Sequence, residues 1–80
     1  MNVGILDSNR LKKMNDVGIP SRLVYIILHG LRLEGVVHAD YNDIIIYSNM
    51  GLRTVTNSIK ELIDKGYIAR ISRGKYTINK

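Results

Sequence analysis

Leu52-Arg-Thr-Val-Thr-Asn-Ser-Ile-Lys-Glu-Leu-Ile-Asp-Lys-Gly-Tyr-Ile68 carries more structural information than any other run in the chain. Val55, Ile59, Leu62 and Ile63 stand at i, i+4, i+7 and i+8, within an arc of about 100° on a helical wheel, which predicts an amphipathic helix. Gly66 comes just past the helix end, where a left-handed backbone closes the last turn. Tyr67 to Ile71, the turn Ser72-Arg-Gly-Lys75 and Tyr76 to Ile78 then predict a β-hairpin. In that hairpin Tyr67 and Ile71 share one strand face, as do Tyr76 and Ile78, while Arg70 points the other way.

The charge is distributed to match. Residues 51–80 hold seven Lys or Arg against two Asp or Glu, whereas residues 1–50 hold five of each. The whole formal excess of +5 therefore lies on this helix and the hairpin after it. A polyanion, nucleic acid first, is the partner such a balance suits.

Upstream, the pattern predicts three more segments. Met1 to Leu6 reads as a loose tail or an edge strand. Asp7 or Ser8 can cap a short helix through Val17, with Leu11 and Met14 at i, i+3 and Gly18 as its stop. Pro20 is pre-set for the first turn of a second helix, with Ser21 as a competing cap, and that helix is expected to reach about Leu33. Leu23, Ile27, Gly30 and Leu31 face one way on it, and Ile26 and Leu33 lie well round from them. A helix apolar on several sides is covered on several sides. The second cover must be the N-terminal helix, another copy of the chain, or both.

Val36-Val37-His38 predicts a brief strand between Gly35 and Asp40. Asp40 reads as an N-cap, with Asp43 three residues on in a weaker version of the capping box, for a helix over about Tyr41 to Ser48. Three consecutive isoleucines, Ile44 to Ile46, favour strand on propensity alone. The cap decides for helix, and Asn49-Met50-Gly51 supplies the turn into the next one, since Asn49 tolerates a left-handed backbone.

Composition removes several classes of function. Eighty residues make one domain, and a chain of this size buries only about 60% of its unfolded surface. There is no cysteine, hence no disulfide framework and no thiolate metal site. His29 and His38 are the only imidazoles and lack zinc-ligand spacing; His29 reads as a packing residue and His38 as surface. No acid–base pair, activated nucleophile or phosphate-cradling glycine loop is present, so the chain is expected not to be an enzyme. The run Leu23 to Leu33 is interrupted by His29 and Arg32 and is too short to span a bilayer. With no signal-peptide pattern, the expectation is a soluble cytoplasmic protein.

Opposite its apolar stripe, the Leu52–Asp64 segment presents Arg53, Asn57 and Lys60, flanked by Thr54 and Thr56. Arg can pair with guanine O6 and N7, Asn with adenine N6 and N7, and Thr can meet a thymine methyl or a phosphate. Glu61 and Asp64 lie a turn or two later and are expected to project away from a groove. A solvated face carries the same residue types, so the face alone does not decide. Arg70, Arg73 and Lys75, clustered on a hairpin whose tip glycine admits close approach, tip the balance towards nucleic acid. Tyr67 and Tyr76 read as core cover rather than as base-stacking platforms.

The pattern Gly51-x-Arg-Thr-Val-x-x-x-Ile-x-x-Leu-x-x-x-Gly-Tyr-Ile68, closed by a short basic hairpin at Tyr76, resembles the winged helix-turn-helix superfamily. It is most similar to the small DNA-binding domains of bacterial, plasmid, phage and archaeal-virus regulators and replication initiators, over about residues 20–78. The resemblance implies an α+β, mostly helical fold: a three-helix core plus a β-hairpin wing over residues 20–80, with residues 1–19 as a tail and an extra short helix. It implies that Arg53, Thr54, Thr56, Asn57 and Lys60 contact the major groove and its phosphates, and that Arg70, Arg73 and Lys75 contact backbone or minor groove. Two positions depart from the family pattern: Gly51 stands where Ser or Thr usually caps the recognition helix, and Ile45 where Ala usually sits at the helix crossing. The expected function is sequence-specific binding of double-stranded DNA by a homodimeric transcriptional regulator that acts by occupying its site. Origin binding in replication and a winged-helix protein–protein adaptor are the alternatives. No cofactor, metal, membrane or small-molecule ligand is implied.

Overall fold

A computed structural model describes Met14 and residues 16–79. The short helix expected between Asp7 and Val17 and the tail before it lie almost wholly outside the described residues; at the end of that span, Met14 and Val17 are buried in the core. The described elements are α1 (Ile19–Gly30), β1 (Arg32–Leu33), β2 (Val36–His38), α2 (Tyr41–Ser48), α3 (Leu52–Asp64), β3 (Ile68–Ser72) and β4 (Lys75–Ile78). The strands form one antiparallel sheet in the order β1-β2-β4-β3. Three helices, with a β-hairpin leaving the third, make the winged helix-turn-helix arrangement.

α1 departs from expectation at its C-terminus. It ends at Gly30 rather than near Leu33, because Arg32 and Leu33 pair with Val37 and Val36. Glu34 (φ 53) and Gly35 (φ 83) make the two-residue turn of that hairpin, and two successive positive φ values match the right-handed twist of paired strands. Its core stripe is Ser21, Val24, Tyr25, Leu28 and His29, and the described residues do not cover its other apolar side: Leu23 and Ile26 remain over a third exposed and Ile19 is 75% exposed.

α2 forms despite its isoleucines because its start is tied down by both bonds of the capping box. Asp43 N–H donates to Asp40 Oδ1 at 2.9 Å and Asp40 N–H donates to Asp43 Oδ2 at 3.2 Å. Only Ile44 is fully buried, Ile45 sits half-buried at the core margin, and Ile46 faces out. One buried position in three is a helical pattern, not the alternation of a strand. Asn49 adopts the left-handed conformation (φ 58) and donates to the Ile45 carbonyl at 2.8 Å.

α3 buries Val55, Ser58, Ile59 and Leu62 and leaves Ile63 partly covered. Its end is a complete Schellman closure: Gly66 N–H donates to the Ile63 carbonyl and Tyr67 N–H to the Leu62 carbonyl, with Gly66 at φ 82. The chain therefore turns directly from α3 into β3. In the sheet, Val37, Tyr76 and Arg70 stand in one cross-strand row, and Ile68 stands opposite Ile78. Ile68, rather than Tyr67, is the apolar plug at the start of the wing.

Candidate nucleic-acid interface

The interface is built on α3, whose buried side packs against α1 and α2. This packing leaves Arg53, Asn57 and Lys60 exposed on one stripe at i, i+4 and i+7, the periodicity that stacks side chains along a helix face. Thr54 and Thr56 flank the stripe and are half-buried. The Thr56 hydroxyl donates to the Leu52 carbonyl at 2.8 Å, so the methyl is what Thr56 offers outward. Thr54 and Asn57 border a shallow groove that runs to the start of α1 at Gly18, Pro20 and Ser21.

Glu61 lies in that groove and turns away from the exposed stripe. Its Oε1 accepts from the Ser21 hydroxyl and, at 3.1 Å, from Gly18 N–H. α1 has no side-chain cap of its own; a carboxylate from α3 satisfies one of its first free amides instead. The Ser21 hydroxyl, then the Gly18 amide, hold the Glu61 carboxyl below the usual glutamate range, since both bonds favour the ionised form. The acid that interrupts the basic surface thus has a structural role, bracing α3 against α1.

The wing carries the other expected contacts. Arg70, Arg73 and Lys75 are all exposed, but they do not form one cluster. A register shift between Arg70 and Ser72 interrupts the β3–β4 pairing. Arg70 stands in the row with Tyr76, whereas Lys75 stands opposite His38. Arg73 occupies the turn, and the adjacent Gly74 carbonyl accepts from Ala39 N–H at 2.9 Å. That bond ties the wing tip to the entry of α2. Arg70 and Arg73 consequently border one cleft, open to solvent, with Tyr41, Leu52 and Tyr76.

Burial raises the Tyr76 phenol above its ordinary value, and the neighbouring Tyr41 adds to the effect, while Arg70 opposes it. Tyr67 and Tyr76 do not meet across the hairpin. Tyr67 makes an edge contact with Tyr25 at 6.0 Å and donates to Asp16 Oδ1 at 2.6 Å. Both tyrosines serve packing, as their sequence context implies. Tyr41 and Leu52 carry no sequence signal for this site: one is the first residue after a helix cap, the other the first of α3. Strand register and the Gly74–Ala39 bond are what bring Arg70 and Arg73 to them.

No family model matches the sequence, and no curated protein matches it. Solved structures do. The CO-sensing protein from R. rubrum, in its reduced Fe(II) form, superposes with a TM-score of 0.61 at 22% identity, over 88% of this chain and 37% of that one. TTHA1359, a CRP/FNR-family transcriptional regulator from Thermus thermophilus, superposes with a TM-score of 0.61 at 25% identity, over 90% of this chain and 41% of that one. The chain spans about two-fifths of the length of each. What it shares with them is a fold, the winged helix-turn-helix of a CRP/FNR regulator's DNA-binding domain.

Proposed function

We propose that the chain is a sequence-specific double-stranded DNA-binding protein that regulates transcription by occupying its site. The observation that carries this reading is the exposed Arg53–Asn57–Lys60 stripe on the third helix of a winged helix-turn-helix, beside a wing bearing Arg70, Arg73 and Lys75. The N-terminal half of α3 enters the major groove; Arg53 and Asn57 read base edges, with Thr54, Thr56 and Lys60 at their flanks, and the wing cations meet phosphates. The transcriptional role of the Thermus regulator that shares this fold supports the same direction.

The protein acts as a homodimer. Ile19, Leu23 and Ile26 form an exposed apolar stripe along α1, whose cover by a second copy removes it from water. The longest dimension of the described chain is 31 Å, which suits half-sites about one helical turn, roughly 34 Å, apart. The same stripe also favours a second reading, a winged-helix adaptor that uses α1 to hold another protein.

A binding selection on random duplex DNA separates them. The selected duplex is then titrated against a scrambled one at two salt concentrations. A palindromic winner bound about a thousandfold tighter than scrambled DNA supports the regulator. Weak binding, equal for all duplexes and lost with salt, refutes sequence readout and leaves the adaptor.

A further inference from the structure

The wing is held at its tip and at its root, by different parts of the domain. The tip is tied to the entry of α2 by the Ala39–Gly74 bond. The root is held at Tyr67, the residue between the Gly66 turn and β3. The Tyr67 hydroxyl donates to Asp16 Oδ1 at 2.6 Å, across 51 positions of chain. The Tyr67 carbonyl accepts from Asn79 N–H at 2.9 Å, and the Asn79 side-chain amide donates to the Gly66 carbonyl at 3.0 Å. The Tyr67 ring stands edge-on to Tyr25 of α1 at 6.0 Å. A residue ahead of α1 and a residue past β4 thus converge on the point where the chain leaves α3.

The two anchors act on different strands. β4, which carries Lys75, lies between β2 and β3, and its pairing with β2 holds it independently of the root. β3, which carries Arg70, is an edge strand whose neighbour among the described strands is β4. That pairing is itself irregular between Arg70 and Ser72, and such an interruption disrupts the ladder locally. Arg70 lies on the root side of the irregularity, whereas Arg73 and Lys75 lie on the tip side.

We infer that Tyr67 is a positioning residue for DNA binding: through Asp16 and Asn79 it fixes the root of the wing against α1 and α3, and so sets where Arg70 meets the duplex. The inference rests on the DNA-binding reading and deepens it. Groups that contact a ligand must be held to within about 0.5 Å by the structure behind them. An edge strand leaving a glycine at φ 82 has little stiffness of its own, and the bonds at Tyr67 supply it. The Asp16 bond also links the segment that enters α1 to the wing, so neither shifts alone while it is made.

The test is a pair of double-mutant cycles on the selected duplex, read by fluorescence anisotropy. Tyr67 is half-buried; Tyr67→Phe removes its hydroxyl and leaves the ring and the backbone bond to Asn79. The variant is combined with Arg70→Ala and, separately, with Lys75→Ala. Tyr67→Phe is expected to weaken binding roughly threefold or more and to couple with Arg70→Ala by a similar factor, because a misplaced Arg70 has less to lose. With Lys75→Ala the losses are expected to multiply. Asp16→Ala should reproduce Tyr67→Phe, and Asp16→Asn, whose side-chain carbonyl still accepts the bond, should restore binding. A general loss of stability gives the same result in both cycles, so multiplied losses with Arg70→Ala overturn the inference. Tyr67→Phe binding as tightly as the unaltered chain overturns it too. Residual dipolar couplings of the free protein supply a readout that needs no DNA. In Tyr67→Phe and Asp16→Ala, the amides of β3 are expected to reorient relative to those of α3. Unchanged couplings overturn the inference and leave sequence-specific binding standing. An unaltered protein that prefers no duplex overturns the DNA-binding reading and this role with it, and changed couplings then place the failure in that reading rather than in the anchor.

Discussion

Replacing Arg73 with alanine tests the wing with little risk to the fold. The side chain is exposed in a turn, and the bond that anchors the turn, from Ala39 N–H to the Gly74 carbonyl, is backbone only. If Arg70, Arg73 and Lys75 each neutralise one phosphate, log K falls against log salt with a slope of about −2.7 per protomer. A fourfold rise in salt then weakens binding about 40-fold, and losing one contact reduces the slope to about −1.8 and the penalty to about 12-fold. Were Arg53 and Lys60 also spent on phosphates, the slope would be about −4.5 and the penalty about 500-fold. The absolute slope therefore reports whether α3 reads bases or merely adds charge. Fluorescence anisotropy with the selected and the scrambled duplex, at several salt concentrations, gives both numbers. Arg73→Ala is expected to weaken the two duplexes by the same factor and to flatten both slopes by about 0.9. An unchanged slope, or a loss confined to the selected duplex, would show that Arg73 touches no phosphate and that the wing has been misassigned.

The remaining predictions concern readout and the frame that holds it. Asn57→Ala is expected to relax preference at one base pair by about 1–3 kcal/mol with the salt slope intact; a uniform loss on all sequences would place Asn57 on the backbone instead. Gly66→Ala puts a Cβ where nothing lies within 4 Å, so its cost is that of the positive φ alone, about 1–2 kcal/mol, or about 4–8 °C in Tm for each kcal/mol. Gly66→Asn should recover much of that loss, and an Asn variant as unstable as Ala would contradict the left-handed requirement. Leu62→Ala, at a fully buried position, is expected to cost about 2–5 kcal/mol in a urea melt; a loss below about 1 kcal/mol would mean the α3 core is loosely packed. Glu61 has its folded-state pKa depressed, so its contribution to stability is full above the ordinary glutamate range and is lost as pH falls through the folded value. Glu61→Gln should flatten that part of the acid limb of stability against pH, and an acid limb identical to that of the unaltered chain would show that the Ser21 and Gly18 bonds do not favour the carboxylate.

Much of the fold that positions the candidate interface was legible in residue order because its determinants are local. The capping box at Asp40 and Asp43 overrode the strand propensity of Ile44 to Ile46. Gly66 marked both the end of α3 and the start of the wing, and the opposition of Val55, Ile59 and Leu62 to Arg53, Asn57 and Lys60 specified which side of α3 faces out. α1 was harder. Its apolar residues occupy more than one side, so periodicity could not choose between the Leu23 face and the Val24–Tyr25–Leu28 face that enters the core. The misplaced end of α1 has a related cause: Gly35 can terminate a helix or fill the second place of a hairpin turn, and pairing partners outside the segment made the choice.

Residue order was thus enough for α3, its polar face, the basic hairpin after it and hence the winged architecture, because capping, turn chemistry and amphipathic period act over a few residues. Long-range packing was needed for the rest. Glu61 caps α1 across 40 and 43 positions of chain, Arg70 parts from Lys75, and Tyr41, Leu52 and Arg73 gather around one cleft. Those pairings depend on strand register, on an irregularity in β3 and on one backbone bond from Ala39 to Gly74. Such contacts are selected by the simultaneous packing of distant segments, and no local run of residues encodes that.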